Sequence, residues 1–125
     1  MSNPLDFPQG MPPALTAALS GHTSLAEEIQ KAFPAAKVVK AFNTSGAAIM
    51  AKPGSVAGDH DRLIAGEDAA AKDSVIAIAK AFGWVHVVDL GDLKGARAME
   101  AQVLVWVRVM QVTGGVLHNI HIART

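Results

Sequence analysis

The sequence contains no cysteine, which excludes disulfides, thiolate metal sites and cysteine nucleophiles and is compatible with a reducing cytosol. It has no excess of charge of either sign, because 11 Lys and Arg balance 11 Asp and Glu. A neutral chain offers no electrostatic footprint for nucleic acid or an anionic membrane. It also has little self-repulsion, so a homo-oligomer is expected. Long hydrophobic runs are missing as well. The most apolar stretch, residues 101–112, is interrupted by Gln102, Arg108 and Gln111 and is too short to span a bilayer. The first 13 residues lack a basic start and carry Pro4, Pro8, Pro12 and Pro13, unlike a secretory signal. These absences predict a soluble, cytoplasmic protein. No G-x-G-x-x-G, G-x-x-x-x-G-K-[ST] or G-x-S-x-G motif occurs, and the glycine pair Gly114-Gly115 follows a helical pattern instead of opening one.

What is present folds. Of 125 residues, 50% are hydrophobic and 18% charged, enough for one domain around one core. Residues 1–23 are rich in proline and glycine and read as an N-terminal loop. Ser24-Leu25-Ala26-Glu27 forms a capping box, after which Leu25, Ile29, Ala32 and Phe33 share a helical face and Pro34 closes the element. The β-branched run 37–42 predicts a strand, followed by a short helix to about residue 51 and a break at Pro53-Gly54. Residues 62–66 predict a second strand. A helix from Glu67-Asp68 to Phe82 then places Val75, Ala79 and Phe82 inward, with Gly83 after it. Residues 85–90 predict a third strand. From Asp92 the pattern is helical, with Met99, Val103, Trp106 and Met110 as an apolar stripe, and residues 116–122 form a last extended piece. Strands alternating with helices in this way predict an α/β domain with a largely parallel sheet.

Ligands of such sheets bind where strands enter helices. The leading candidate is Phe42-Asn43-Thr44-Ser45-Gly46, whose amide, hydroxyls and helix-start backbone N–H groups suit a carboxamide or heterocycle edge; Asn43 or Thr44 acting as a helix cap explains the same residues. Glu67 and Asp68 are accounted for by the positive end of a helix dipole. His118 and His121 lack nearby thiolate or carboxylate partners, so no metal site is expected. Asp59-His60-Asp61 reads as solvated turn chemistry, and His86 as a packed or edge strand residue. Leu104 and Val107 widen the stripe of the 92–112 helix beyond one face, which predicts core on one side and a partner subunit on the other. Glu100 and Arg108 lie too far apart along it to pair.

Four segments in order, N-P-L-D-F-P-Q-G-M-P-P from Asn3, S-L-A-E-E-I-Q-K-A-F-P-A-A-K-V-V-K-A-F-N-T from Ser24, A-G-E-D with the following A-A-A-K from Ala65, and G-W-V-H-V-V-D-L-G-D-L-K-G-A-R from Gly83, resemble the later two-thirds of the NADPH-dependent coenzyme F-420 reductases. The V-V-K-A-F-N-T stretch also resembles the reductase domain of the STEAP metalloreductases. The resemblance implies a partial Rossmann-like fold in which residues 24–125 are the C-terminal part of an NAD(P)-binding domain without its first glycine-rich βαβ unit. It implies NADP as cofactor and hydride transfer to a flavin or deazaflavin-type partner. It places Asn43, Thr44, Ser45 and Gly46 by the nicotinamide, with Asn3 and Pro4 in a turn on the same side. No acid–base residue is required when a protein mainly positions two rings. The family's glycine fingerprint and 2′-phosphate loop would precede Met1. Without them the chain is expected to be a truncated reductase, inactive unless a partner supplies the front half. The alternative is a non-catalytic homodimeric assembly module built on the 92–112 helix.

Overall fold

A computed structural model describes residues 2–124. Two short strands, β1 (Leu5–Asp6) and β2 (Ala14–Leu15), precede α1 (Leu25–Ala32), β3 (Val39–Ala41), α2 (Ala47–Met50), β4 (Asp61–Gly66), α3 (Ala69–Ala81), β5 (His86–Asp89) and α4 (Gly95–Thr113). Local chemistry accounts for the helix ends. Ser24 Oγ accepts from the Glu27 N–H at the start of α1, and Asp68 accepts from the Ala71 N–H at the start of α3, each satisfying a free first-turn amide. Gly114, at φ 71°, ends α4 in the left-handed conformation that glycine adopts without a Cβ clash.

The main sheet has the order β3-β4-β5 and is mixed. β4 and β5 are parallel, joined by the α3 crossover, whereas β3 runs antiparallel to β4. This corrects the largely parallel sheet read from the sequence. A parallel return needs a crossover that retraces the strand. Residues 42–60 hold only α2 and a single 3-10 turn at Pro53–Ser55, so the chain re-enters the sheet at the end it left.

All six residues of β4 are buried. On one face, Leu63 and Ala65 pack with Met99 of α4, bordered by Val88, Leu90 and Ile120. A second cluster joins Ala26, Leu93 and Ala96 with Val38. The buried stripe of α4 is Ala96, Met99, Glu100, Val103 and Val107; Trp106 and Met110, placed inward by the sequence pattern, are half-buried at its border. Gly95 lets α4 approach the sheet. A Cβ there would lie 2.8 Å from the Leu90 carbonyl oxygen and 3.0 Å from Ala65 Cβ. Gly95→Ala is therefore expected to lower stability by about 1–3 kcal/mol, seen as an earlier urea midpoint.

Several local expectations are corrected. In α1 the inner residue is Ala26, while Ile29 and Phe33 are 40% and 64% exposed. The helix is turned by α4: Arg97 holds the Glu27 carboxylate through two hydrogen bonds of 2.9 and 2.7 Å. Glu27 also accepts from the Ser24 hydroxyl, so the box is closed through side chains. The guanidinium of Arg97 keeps Glu27 below the usual carboxylate range; this stabilisation is present above the unfolded value and is lost as pH falls through the lowered one. In α3 Ala79 is buried, but Phe82 is 44% exposed. The N-terminal segment is not loop throughout, because β1 and β2 pair antiparallel and Pro4 and Pro13 are buried. α4 begins at Gly95, three residues later than read, because Asp92 forms a turn that accepts from the Lys94 N–H. Residues 116–122 join no sheet. No described helix is long and apolar enough to cross a membrane.

Candidate functional site

The chain leaves β3 through Phe42, whose φ of 64° is uncommon outside glycine and costs about 1–3 kcal/mol that the surrounding packing must supply. Behind that turn Asn43, Thr44 and Ser45 are 3%, 0% and 6% exposed. The Asn43 side-chain amide donates to Asn3 Oδ1 and to the Met99 carbonyl, both at 2.8 Å. Asn3 in turn donates to the Asn43 carbonyl at 3.4 Å. The buried Pro4 sits in the same turn, its carbonyl accepting from the Thr16 N–H. The N-terminal turn and the loop after β3, forty positions apart, thus form one clasp.

Ser45 Oγ donates to Asn119 Oδ1 at 3.1 Å. Gly46 is the residue before α2, which has no side-chain cap, so neither Asn43 nor Thr44 caps this helix. A Cβ on Gly46 would meet the Trp106 ring at 3.0 Å and the Val116 carbonyl at 3.3 Å. The buried oxygens Asn43 Oδ1 and Thr44 Oγ1 have no hydrogen-bond partner among the described residues, and neither do Trp106 Nε1 and the Gln102 amide on the flanking α4. Buried polar atoms left over in this way are scarce in folded proteins. Of these, Asn43 Oδ1 and Thr44 Oγ1 belong to the loop and the Trp106 ring lies against Gly46, an acceptor, a hydroxyl and an N–H that match the edge of a carboxamide.

Two charged features beside the loop were not anticipated. Lys40 Nζ meets Glu100 Oε1 at 2.8 Å, with the two side chains 5% and 2% exposed, and also donates to the Ser2 carbonyl. Glu100 accepts in addition from the Leu25 and Ala26 N–H groups at 2.9 and 3.2 Å, so a carboxylate of α4 caps α1. The only trace in the sequence is a lysine inside a β-branched run and a glutamate on an apolar helix. Arg62 is wholly buried, with its guanidinium carbon 4.5 Å from the Phe42 ring centre and 3.8 Å from that of Trp84. None of its nitrogens has a partner among the described residues. Burial pushes its pKa down to about 10, so it remains a cation at neutral pH.

The Asp59-His60-Asp61 segment is not solvated throughout, which corrects the turn reading. It leads into the central strand, and Asp61 is fully buried, accepting from the Ile122 N–H and facing His121 at 3.3 Å. His60 stands edge-on to Trp84 with ring centres 5.0 Å apart. His86 is half-buried beside Asp59 at 3.6 Å. Among the described residues no three His, Asp or Glu side chains converge as metal ligands. Asp68 caps α3 as the dipole argument expects; the Ala71 amide and Lys37 hold its carboxyl below the usual range.

A diphosphate requires free N–H groups at a helix start. The first turn of α1 already faces the carboxylates of Glu100 and Glu27, and that of α3 faces Asp68. Negative charge at both positions opposes a second anion. The loop thus offers polar groups that suit a carboxamide, while the first turns of α1 and α3 are closed to a diphosphate.

No family model matches the chain. It is 40% identical over 84 residues to the metalloreductase STEAP3 of Rattus norvegicus, an alignment that takes in 66% of this chain and 17% of that protein. A crystal structure from Arthrobacter sp. FB24, provisionally assigned as an F-420-dependent NADP-reductase, matches with a TM-score of 0.92 and 46% identity over 98% of this chain. The resemblance to the coenzyme F-420 reductases holds. The chain has the Rossmann-like α/β fold of that reductase over its own length, and it spans 55% of the solved relative.

Proposed function

We propose that the chain supplies the nicotinamide side of an NADP-linked reductase. Asn43, Thr44, Ser45 and Gly46, with Asn3 and Pro4 behind them, shape the pocket for the ring, and a polypeptide carrying a glycine fingerprint supplies the grip on the diphosphate. The observation that carries this reading is the set of unpartnered buried polar atoms at the loop, Asn43 Oδ1 and Thr44 Oγ1, together with the carboxylates that occupy the first turns of α1 and α3. NADPH, when bound, supplies a hydride, leaving NADP, and a flavin or deazaflavin accepts the hydride together with a proton from solvent. The chain's own residues orient the carboxamide and keep water from the ring face. Alone, the 125 residues are expected to be inactive. Oxidation of NADPH with a flavin or deazaflavin acceptor should appear only when a separately expressed front half of a related reductase is added. Turnover by the lone chain at the rate of the mixture would defeat the proposal.

A specific observation also favours self-association, the basis of a non-catalytic reading. Val105 and Val112, two turns apart on α4, are 57% and 70% exposed, and an apolar helix face in water invites a second copy. Val105→Glu is expected to convert a dimer to a monomer in light scattering. A wild-type chain that is monomeric at high concentration would remove this reading.

A further inference from the structure

We propose that residues 115–122 form a strap latched by His118, closing over the 43–46 loop when that histidine is protonated and loosening when it is neutral. The reading of the loop as a ring pocket, on which the strap's effect on ligand rests, is the one proposed above; the strap itself rests on separate contacts.

After Gly114 the chain turns back along α4 toward the start of β4. It is anchored there at one end, where the Asp61 N–H donates to the Ile120 carbonyl at 2.9 Å and the Ile122 N–H donates to the Asp61 carboxylate. In the middle Asn119 accepts from Ser45 Oγ at 3.1 Å and donates to the Asp61 carbonyl at 3.0 Å. The Val116 carbonyl lies against Gly46. The strap therefore covers the residues that a ring would have to reach.

The latch follows from hydrogen-bond inventory. His118 Nδ1 faces the Gly115 carbonyl at 3.2 Å and Nε2 faces the Trp106 carbonyl at 3.1 Å. Both partners are acceptors only. A neutral imidazole carries one N–H and sets a lone pair against the other oxygen, whereas the imidazolium donates to both. The ring also stacks on Trp106, with centres 4.8 Å apart and planes 26° apart, an arrangement that favours the cation over an electron-rich face. Other titratable groups meet the strap elsewhere. His60 accepts from the Asn119 amide at Nδ1 and donates to the Pro53 carbonyl at Nε2, and His121 faces Asp61. On α4, Glu100 and Arg97 are engaged at the α1 end and Arg108 is exposed. None of these groups bonds to His118.

Amide exchange of Asp61 and Ile122, followed by NMR and corrected for intrinsic rates, reads strap closure directly. Protection should fall about tenfold as pH rises through the range in which histidine titrates, the worth of one charge-assisted hydrogen bond. His118→Gln should abolish that dependence and His121→Gln should retain it. Reduced nicotinamide mononucleotide should shift the Ser45 and Gly46 amides more strongly at the higher pH. Protection that ignores pH, or that follows His121 and not His118, overturns the latch. If protection follows His118 while the mononucleotide leaves Ser45 unmoved at every pH, the strap stands and the ring-pocket reading fails.

Discussion

Glu100→Ala is expected to lower the stability of the chain by about 3–5 kcal/mol, measured as a loss of most of the urea midpoint. The residue has three partners at once: Lys40 Nζ and the N–H groups of Leu25 and Ala26. Removing the carboxylate leaves a buried ammonium without its counter-ion and two first-turn amides without acceptors. Each of those is worth more in the low-dielectric interior than at the surface. A domain of this size has about 5–15 kcal/mol in total, so the variant should be partly unfolded at physiological temperature. The pair as a whole is a different matter. Lys40→Met combined with Glu100→Leu removes both charges together and should recover much of the loss, because an apolar pair avoids the desolvation that the ion pair incurs. Only the α1 amides then remain uncompensated. Equal destabilisation by the single and double variants would show that capping of α1, and not the ion pair, dominates.

Arg62→Met is expected to have the opposite sign, raising stability by about 1–2 kcal/mol. The guanidinium sits between Phe42 and Trp84 with no hydrogen-bond acceptor among the described residues. The rings return part of the desolvation penalty, about 2 kcal/mol at best, and three unsatisfied donor nitrogens exceed that. Methionine keeps the length and the contact with both rings while removing the charge. The pH dependence fixes the sign independently. Burial lowers the folded pKa to about 10, well below that of an arginine in the unfolded chain. The unfolded chain therefore binds more protons between these values, and the wild type gains stability as pH rises through that window. At neutral pH the penalty is complete. A lower midpoint for Arg62→Met than for the wild type would mean that the two rings hold the cation with a net gain.

Local signals were legible where a residue acts within its own turn. Ser24, Asp68 and Gly114 each fix a helix end through a bond or a backbone angle set by immediate neighbours. The three strands of the main sheet were also legible, to within a few residues, whereas β1 and β2 were not. What escaped was long-range. Lys40 and Glu100 are sixty positions apart, and nothing in either segment announces the other. The consequence reaches α1, whose apolar residues Ile29 and Phe33 form a convincing inner face by periodicity yet lie outward, because Arg97 and Glu100 hold the opposite side. The direction of β3 was hidden for a related reason. The V-V-K-A-F run states that a strand exists, but its orientation depends on whether residues 42–60 can cross the sheet. At the loop itself, the residue types of Asn43 to Gly46 suggested polar recognition, and only the likeness to the reductases brought Asn3 to the same place. The structure joins them through hydrogen bonds. The orphaned Thr44 hydroxyl is a property of packing that no pattern of letters contains.

Comparative calorimetry of the lone chain with two ligands tests most directly whether ring recognition is separate from diphosphate recognition. Reduced nicotinamide mononucleotide carries the ring and one phosphate; NADPH adds the diphosphate linkage, the adenosine and the 2′-phosphate. If the closure of the α1 and α3 first turns to anions leaves the additional groups without a partner, the two ligands should bind with similar, millimolar affinity. Micromolar binding of NADPH with the mononucleotide a thousandfold weaker would contradict that separation, because that difference could come only from a grip within these residues on the diphosphate and the nucleotide attached to it.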